Sequence, residues 1–153
     1  MNATEILKQD HREVESLIAE LEGAGNEGGS GSYAAVFQKM RNMITLHSQI
    51  EEETLYPALE NLDQTEDQIE EAYTEHDEVA TLLADMAGLD PADEDFQSLL
   101  QQLKESIQHH VEEEEGEVFP KAEALLGEEQ LNSMGDRIEA MKGDSDLSRT
   151  ATM

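Results

Sequence analysis

The chain has 153 residues, with 37 acidic against 9 basic side chains, a formal charge of -28 and no cysteine. That length suits one domain with its own core; the charge argues against nucleic acid and anionic membranes as partners, and the missing thiols exclude disulfides and thiolate zinc sites. No run of eighteen apolar residues occurs and the first residues, MNATEILKQD, lack the basic-then-apolar shape of a signal peptide, so a cytoplasmic location is expected. The acidity is that of a very soluble protein, and adaptation to a salt-rich cytoplasm is the sharper reading of it.

Three Pro, ten Gly and few β-branched runs point to an all-α protein. Asn2 with Glu5 three residues later resembles a capping box and starts a first helix near residue 3. On it Leu7, His11, Val14, Ile18 and Leu21 step by four, three, four and three, which puts His11 on the buried stripe. Residues 23–32, GAGNEGGSGS, read as a flexible linker. A second helix is expected from Tyr33 to Glu60, bent or broken at Pro57, with Phe37, Met40, Ile44, His47, Glu51 and Leu55 on one face.

A third helix is expected from Thr65 to Ala87, ended by Gly88, with Ile69, Tyr73, His76, Val79 or Ala80, and Leu83 inward. The acidic stretch 89–96, LDPADEDF, lacks the glycine and spacing of a calcium loop and reads as the start of a fourth helix. Phe96, Leu99 or Leu100, Leu103, Ile107, His110, Glu114 and Val118 form its inner stripe, with a break near Gly116 and Pro120. A short amphipathic helix from Glu128 to Lys142 offers Leu131, Met134, Ile138 and Met141 as a cover, and residues 143–153 read as a disordered tail. The expected fold is an up-down-up-down four-helix bundle over residues 1–142 with that extra C-terminal helix.

Two internal echoes organise the chain. An offset of 63 maps His47, Glu51, Tyr56 and Pro57 onto His110, Glu114, Phe119 and Pro120; an offset of 65 maps His11, Val14 and Gly23 onto His76, Val79 and Gly88. A helical hairpin is therefore written twice, and each copy brings one lone histidine and one His-x-x-x-Glu pair. Side chains four apart on a helix lie about 5 to 6 Å from each other, so an imidazole and a carboxylate in that frame can share a metal. A lone core histidine is more often a packed residue than a ligand, but matched places in two repeats favour ligation.

Four imidazoles and two carboxylates are too many for one tetrahedral zinc and suit two ions bridged by the glutamates, with iron or manganese favoured by mixed nitrogen and oxygen donors. Ferritin-like sites use Glu-x-x-His, which these histidines do not show. The neighbouring acids Glu52, Glu53, Glu112, Glu113 and Glu115 read as a solvated face, with Glu52 and Glu115 as candidate acceptors for ligand histidines, while Tyr56 and Phe119 read as packing residues beside the prolines. His109 belongs to a solvated face, because residues adjacent on a helix point about 100° apart.

The pattern DH, then HxxxEExxxYP, then EH, then HHVxxEExxxFP resembles the hemerythrin-like, or HHE cation-binding, domain over residues 1 to about 142. The resemblance implies a metal set of His11, His47, Glu51, His76, His110 and Glu114 holding two non-haem iron ions, oxo- or hydroxo-bridged, with manganese or zinc as substitutes. Oxygen carriers of that family have a further histidine where this chain has Ala80, and a His-x-x-x-x-Asp frame for the last ligand. Their absence shifts the expected function from reversible oxygen carriage toward binding or reacting with a small oxidant (oxygen, peroxide or nitric oxide) as sensor or scavenger. The alternative is a non-enzymatic iron-holding protein.

Overall fold

The computed structural model describes the backbone of residues 1–27 and 31–151, and the side chains of residues 1–24 and 33–144. Among the described residues six α-helices follow in order: α1 Ala3–Glu27, α2 Gly31–Glu53, α3 Leu55–Leu59, α4 Glu66–Met86, α5 Glu94–Glu113 and α6 Phe119–Ala151; a five-residue π-turn, Glu114–Val118, joins α5 to α6. No strand occurs among the described residues. The long helices close a ring in which α1 packs on α2 and α5, and α4 on α5 and α2, while α6 lies across α1. None of the helices is long and apolar enough to cross a membrane among the described residues.

Local chemistry sets the boundaries. The Asn2 side chain accepts the backbone N–H of Glu5 at 3.0 Å, capping α1 as expected. Gly88, at φ +91°, follows the end of α4 in the left-handed region that a glycine enters without a Cβ clash. Three boundaries differ from the expectation. First, α1 runs through Gly23 to Glu27, because Leu21 and Ala24 are fully buried and their packing outweighs the roughly 1 kcal/mol that a mid-helix glycine costs; residues 28–30 of the expected linker lie outside the described residues.

Second, the interruption of α2 falls at Thr54, not at Pro57, since a proline ring clashes with the carbonyl four residues back, here that of Glu53. Pro57 itself sits in the first turn of α3, where no N–H is needed. The same clash places Pro120 against Gly116, yet there the chain does not break: Phe119 N–H donates to Glu114 C=O five residues back, a π-turn that carries the helix onward. Third, non-helical Gly127 (φ 84°, ψ 164°) divides α6, so a helix does begin at Glu128 as expected, but it continues past Lys142 to Ala151, and residues 152–153 lie outside the described residues.

Two apolar clusters fill the bundle. One gathers Val14, Leu21, Met40, Val79, Met86, Phe96 and Leu103 towards the α1 C-terminal end, and the other gathers Leu7, Ile50, Tyr56, Leu59, Ile69, Phe119, Leu131 and Ile138. Each fully buried side chain of this size contributes about 1.5 to 3 kcal/mol. Leu131 and Ile138 of α6 are buried in the second cluster with Met134 and Met141 packed beside them, as the sequence led us to expect. Between the clusters lies a polar layer.

Candidate metal centre

That layer is made by the stripe positions where polar residues replace apolar ones. His11 (α1), His47 and Glu51 (α2), His76 (α4), His110 (last turn of α5) and Glu114 (first residue of the π-turn) converge, and all but half-buried His110 are buried. His11 Nε2 lies 3.1 Å from Glu114 Oε1, and His47 Nε2 3.3 Å from Glu51 Oε1. His76 Nε2 is 3.1 Å and His110 Nε2 3.7 Å from the same Glu51 oxygen, while Glu114 Oε2 is 3.2 Å from His110 Nε2. Donor atoms about 2.0 to 2.2 Å from one ion sit roughly 3 Å from their neighbours on it, which is the spacing found here.

Two overlapping groups result: His11, His47, Glu51 and Glu114, and then Glu51, His76 and His110. Glu51 belongs to both. In the first group His11 Nε2, His47 Nε2, Glu51 Oε2 and Glu114 Oε1 are buried with no hydrogen-bond partner. With the imidazoles neutral, close approach without hydrogen-bond geometry leaves four buried polar atoms unsatisfied, a cost of about 1 to 3 kcal/mol each. A cation satisfies all four at once, so the donor set fits a metal.

Each imidazole is aimed by a carboxylate behind it. His47 Nδ1 donates to Asp10 (2.9 Å), His110 Nδ1 to Glu75 (2.7 Å), His11 Nδ1 to Glu115 (2.7 Å) and His76 Nδ1 to Glu52 (2.7 Å). When the imidazoles are neutral, with the proton held on Nδ1, every Nε2 lone pair faces the centre. Glu52 and Glu115 take the role the sequence suggested for them. Asp10 and Glu75 were missed, although the signal was present: they precede His11 and His76 and map onto each other at the offset of 65.

Of the two rings stacked on histidines, only one carries a hydroxyl, and it breaks the pseudo-twofold relation at the centre. Tyr56 stacks on His76 (ring centroids 5.3 Å apart) as Phe119 does on His11 (5.9 Å), so both pack as expected. The Tyr56 hydroxyl goes further than packing, a correction to the sequence reading. It donates to Glu114 Oε2 at 2.5 Å and lies 3.1 Å from Glu51 Oε1, 3.3 Å from His76 Nε2 and 3.4 Å from His110 Nε2. Phe119 offers no oxygen to the other half, and that half holds the four unpartnered atoms. Hydropathy patterning cannot separate a packing tyrosine from one whose hydroxyl reaches a centre.

Without metal the layer is an internal ion-pair network. Burial opposes charge on His47, but Glu51, Asp10 and Glu114 outweigh it and push its pKa up to about 10. His76 and His110 are raised in the same way against burial, by Glu51 and by Glu114 respectively. Burial works to raise Glu51, yet the surrounding imidazoles hold it well below the usual carboxylate range. Burial beside Glu114 and Glu51 pushes the Tyr56 phenol well above its ordinary value. Outside the layer, Lys142 of α6 pairs with Asp10, and Arg12 with Glu115.

His109 and His110 separate as expected: the His109 side chain is 64% exposed, among Glu71, Glu75 and Glu113, and that of His110 is 12% exposed. Beside the four inward histidines lies a cavity of about 40 Å³, walled by Val14, Ile44, Val79, Ile107 and Val111.

Residues 2–122 match the family described as the hemerythrin HHE cation binding domain. A curated protein named DNA nickase, from Nostoc sp., is 28% identical over 142 residues; the match covers 93% of this chain but only 39% of that protein, so the chain spans well under half the length of the relative. Among solved structures, a hemerythrin HHE cation-binding-domain protein from Mycobacterium kansasii superposes with a TM-score of 0.75 at 24% identity, over 96% of this chain and 91% of that one, a likeness of fold. With the matched segment running from α1 into the start of α6 and enclosing every inward histidine and glutamate, the chain belongs to the hemerythrin HHE cation-binding domain family.

Proposed function

We propose that this protein holds two non-haem iron ions and binds or reacts with a small oxidant such as oxygen, peroxide or nitric oxide. The observation that carries the reading is the pair of donor groups sharing Glu51, set against an apolar cavity of about 40 Å³ that all four inward histidines line. One ion would be held by His11, His47, Glu51 and Glu114, and the other by His76, His110 and the two glutamates, with the Tyr56 hydroxyl beside it. Bound iron would supply open coordination positions and one-electron redox chemistry.

The chain's own contribution is positioning and exclusion. Asp10, Glu52, Glu75 and Glu115 hold the imidazole protons away from the centre and fix the ring planes. The aliphatic walls keep bulk water from the open face and leave space for a molecule of a few atoms. Tyr56 holds a proton within hydrogen-bond reach of both glutamates, where the matching Phe119 has no hydroxyl. So enclosed a donor set has no room for a mineral core, which disfavours iron storage. Reaction with DNA, the substrate in the name of the longer relative, finds no support in a chain of formal charge -28 whose Arg12, Lys104 and Lys142 are engaged with carboxylates.

Metal analysis of aerobically purified protein, followed by optical spectra on adding peroxide, or nitric oxide after reduction, tests the reading. About two irons per chain and a spectral response are expected. A single native zinc, uptake of many irons per chain, or two irons with no response to any of these ligands would overturn it.

A further inference from the structure

Two surface hollows border the cavity beside the histidines. Over the α2–α4 seam lies a groove of about 310 Å³ whose walls include Thr45, Gln49, Glu52, Glu53, Asp77 and Ala80. It shares Ile44, Ser48, His76 and Val79 with the inner cavity, so one layer of side chains separates the two. Ser48 in that layer is small and half-buried, and exposed Ala80 offers only a methyl group at the mouth. Among the described residues the groove is lined by three carboxylates and no lysine or arginine.

On the other side a hollow of about 250 Å³ is lined by Lys39, Met43, Leu46, Lys142 and the acids Asp10 and Glu13, and it shares only His47 with the inner cavity. The His47–Asp10 hydrogen bond and the Asp10–Lys142 pair lie across that path. It is the side with cationic residues, and it meets the inner cavity at one lining residue where the seam meets it at four.

We propose that small molecules reach the centre through the α2–α4 seam, past Ser48 and Val79, and that Glu52, Glu53 and Asp77 at its mouth select neutral molecules over anions. The proposal rests on the reading that the centre binds small oxidants. An anion crossing the seam approaches three carboxylates at the point where low-dielectric walls focus their field, and such focusing changes association rates by about ten- to a thousand-fold. A neutral molecule meets no such barrier. The substrate class follows: uncharged oxygen, nitric oxide or hydrogen peroxide, and not superoxide or nitrite.

Stopped-flow rates on the iron-loaded protein test both parts, with azide on the oxidised form as the anionic probe and nitric oxide on the reduced form as the neutral one. Ala80→Phe, a bulky change at an exposed position outside the metal set, is expected to slow both probes roughly tenfold at unchanged iron content. Asp77→Lys should speed azide roughly tenfold at low salt and leave nitric oxide within twofold, whereas exposed Glu20→Lys, with the same change in net charge, should move neither. If wild-type protein responds to both probes but Ala80→Phe leaves them unaltered, or Lys39→Glu is the change that alters azide binding, the seam is not the route. Equal effects of Asp77→Lys and Glu20→Lys would assign the selection to overall charge and remove the mouth's role. Wild-type protein silent to both probes would refute the proposed function itself.

Discussion

At the residue scale, two adjacent histidines and one tyrosine decide how the centre is built. His110 faces inward against Glu51 and Glu114 while His109 stands in solvent. His110→Ala should therefore lose at least one iron per chain and the associated charge-transfer absorption, and His109→Ala should keep both. Iron loss in the His109 variant alone would mean that α5 is rotated by one residue. Tyr56 is the subtler case, because its hydroxyl lies within 3.4 Å of four candidate donor atoms. Tyr56→Phe should lower affinity for the second ion by about ten- to a hundred-fold, the usual cost of removing a supporting hydrogen bond, with helix content preserved. Unchanged affinity for both ions in a calorimetric titration would reduce Tyr56 to packing.

At the scale of elements, α6 does more than cover the bundle. A Cβ built on Gly135 would lie 2.2 Å from the Met1 carbonyl oxygen, so this glycine lets α6 approach the start of α1 backbone to backbone. Lys142 on the same helix pairs with Asp10, which in turn aims His47. Gly135→Ala should then cost about 1 to 3 kcal/mol, as overpacking does, seen as a lower midpoint in urea melts. Gly116→Ala is the control, since a Cβ there meets nothing within 4 Å and the position has no left-handed φ. A Gly135 variant as stable as wild type would show that the N-terminus can move aside freely. The π-turn is the other element that matters: it presents Glu114 inward and Glu115 toward His11, two adjacent carboxylates serving the same histidine from opposite sides.

For the whole molecule, pH separates the metal-free from the metal-bound protein. His47, His76 and His110 are all raised in the metal-free fold, so the stability they contribute is fully present below the unfolded histidine value of about 6.5. It is lost as pH rises through the folded values, about 10 for His47. Glu51 has the opposite sign: its contribution is present above the usual carboxylate range and disappears on acidification. Metal-free protein should thus melt at its highest temperature near pH 5 to 6.5 and at progressively lower temperature toward pH 10. Ion binding instead needs neutral imidazoles, so metal uptake should release protons and weaken as pH falls. A metal-free melting temperature that climbs between pH 6.5 and 10 would show that these histidines are neutral before metal arrives.

The sequence alone determined the parts whose cause is local or periodic. Stripe spacing puts His11, His47, Glu51, His76, His110 and Glu114 on buried faces, and the doubled hairpin says that those faces meet, because each repeat must bury the same stripe against the other. The tertiary structure decided what depends on contacts between distant residues. Whether Asp10 and Glu75 are surface acids or the groups that aim His47 and His110 rests on how two helices rotate against each other, which no single-helix period encodes. The place where α2 stops was set by the Pro57 ring acting on the Glu53 carbonyl, a geometric effect displaced along the chain from its cause. The reach of the Tyr56 hydroxyl to Glu114, 58 residues away in sequence, exists only once α3 has packed against the rest of the bundle.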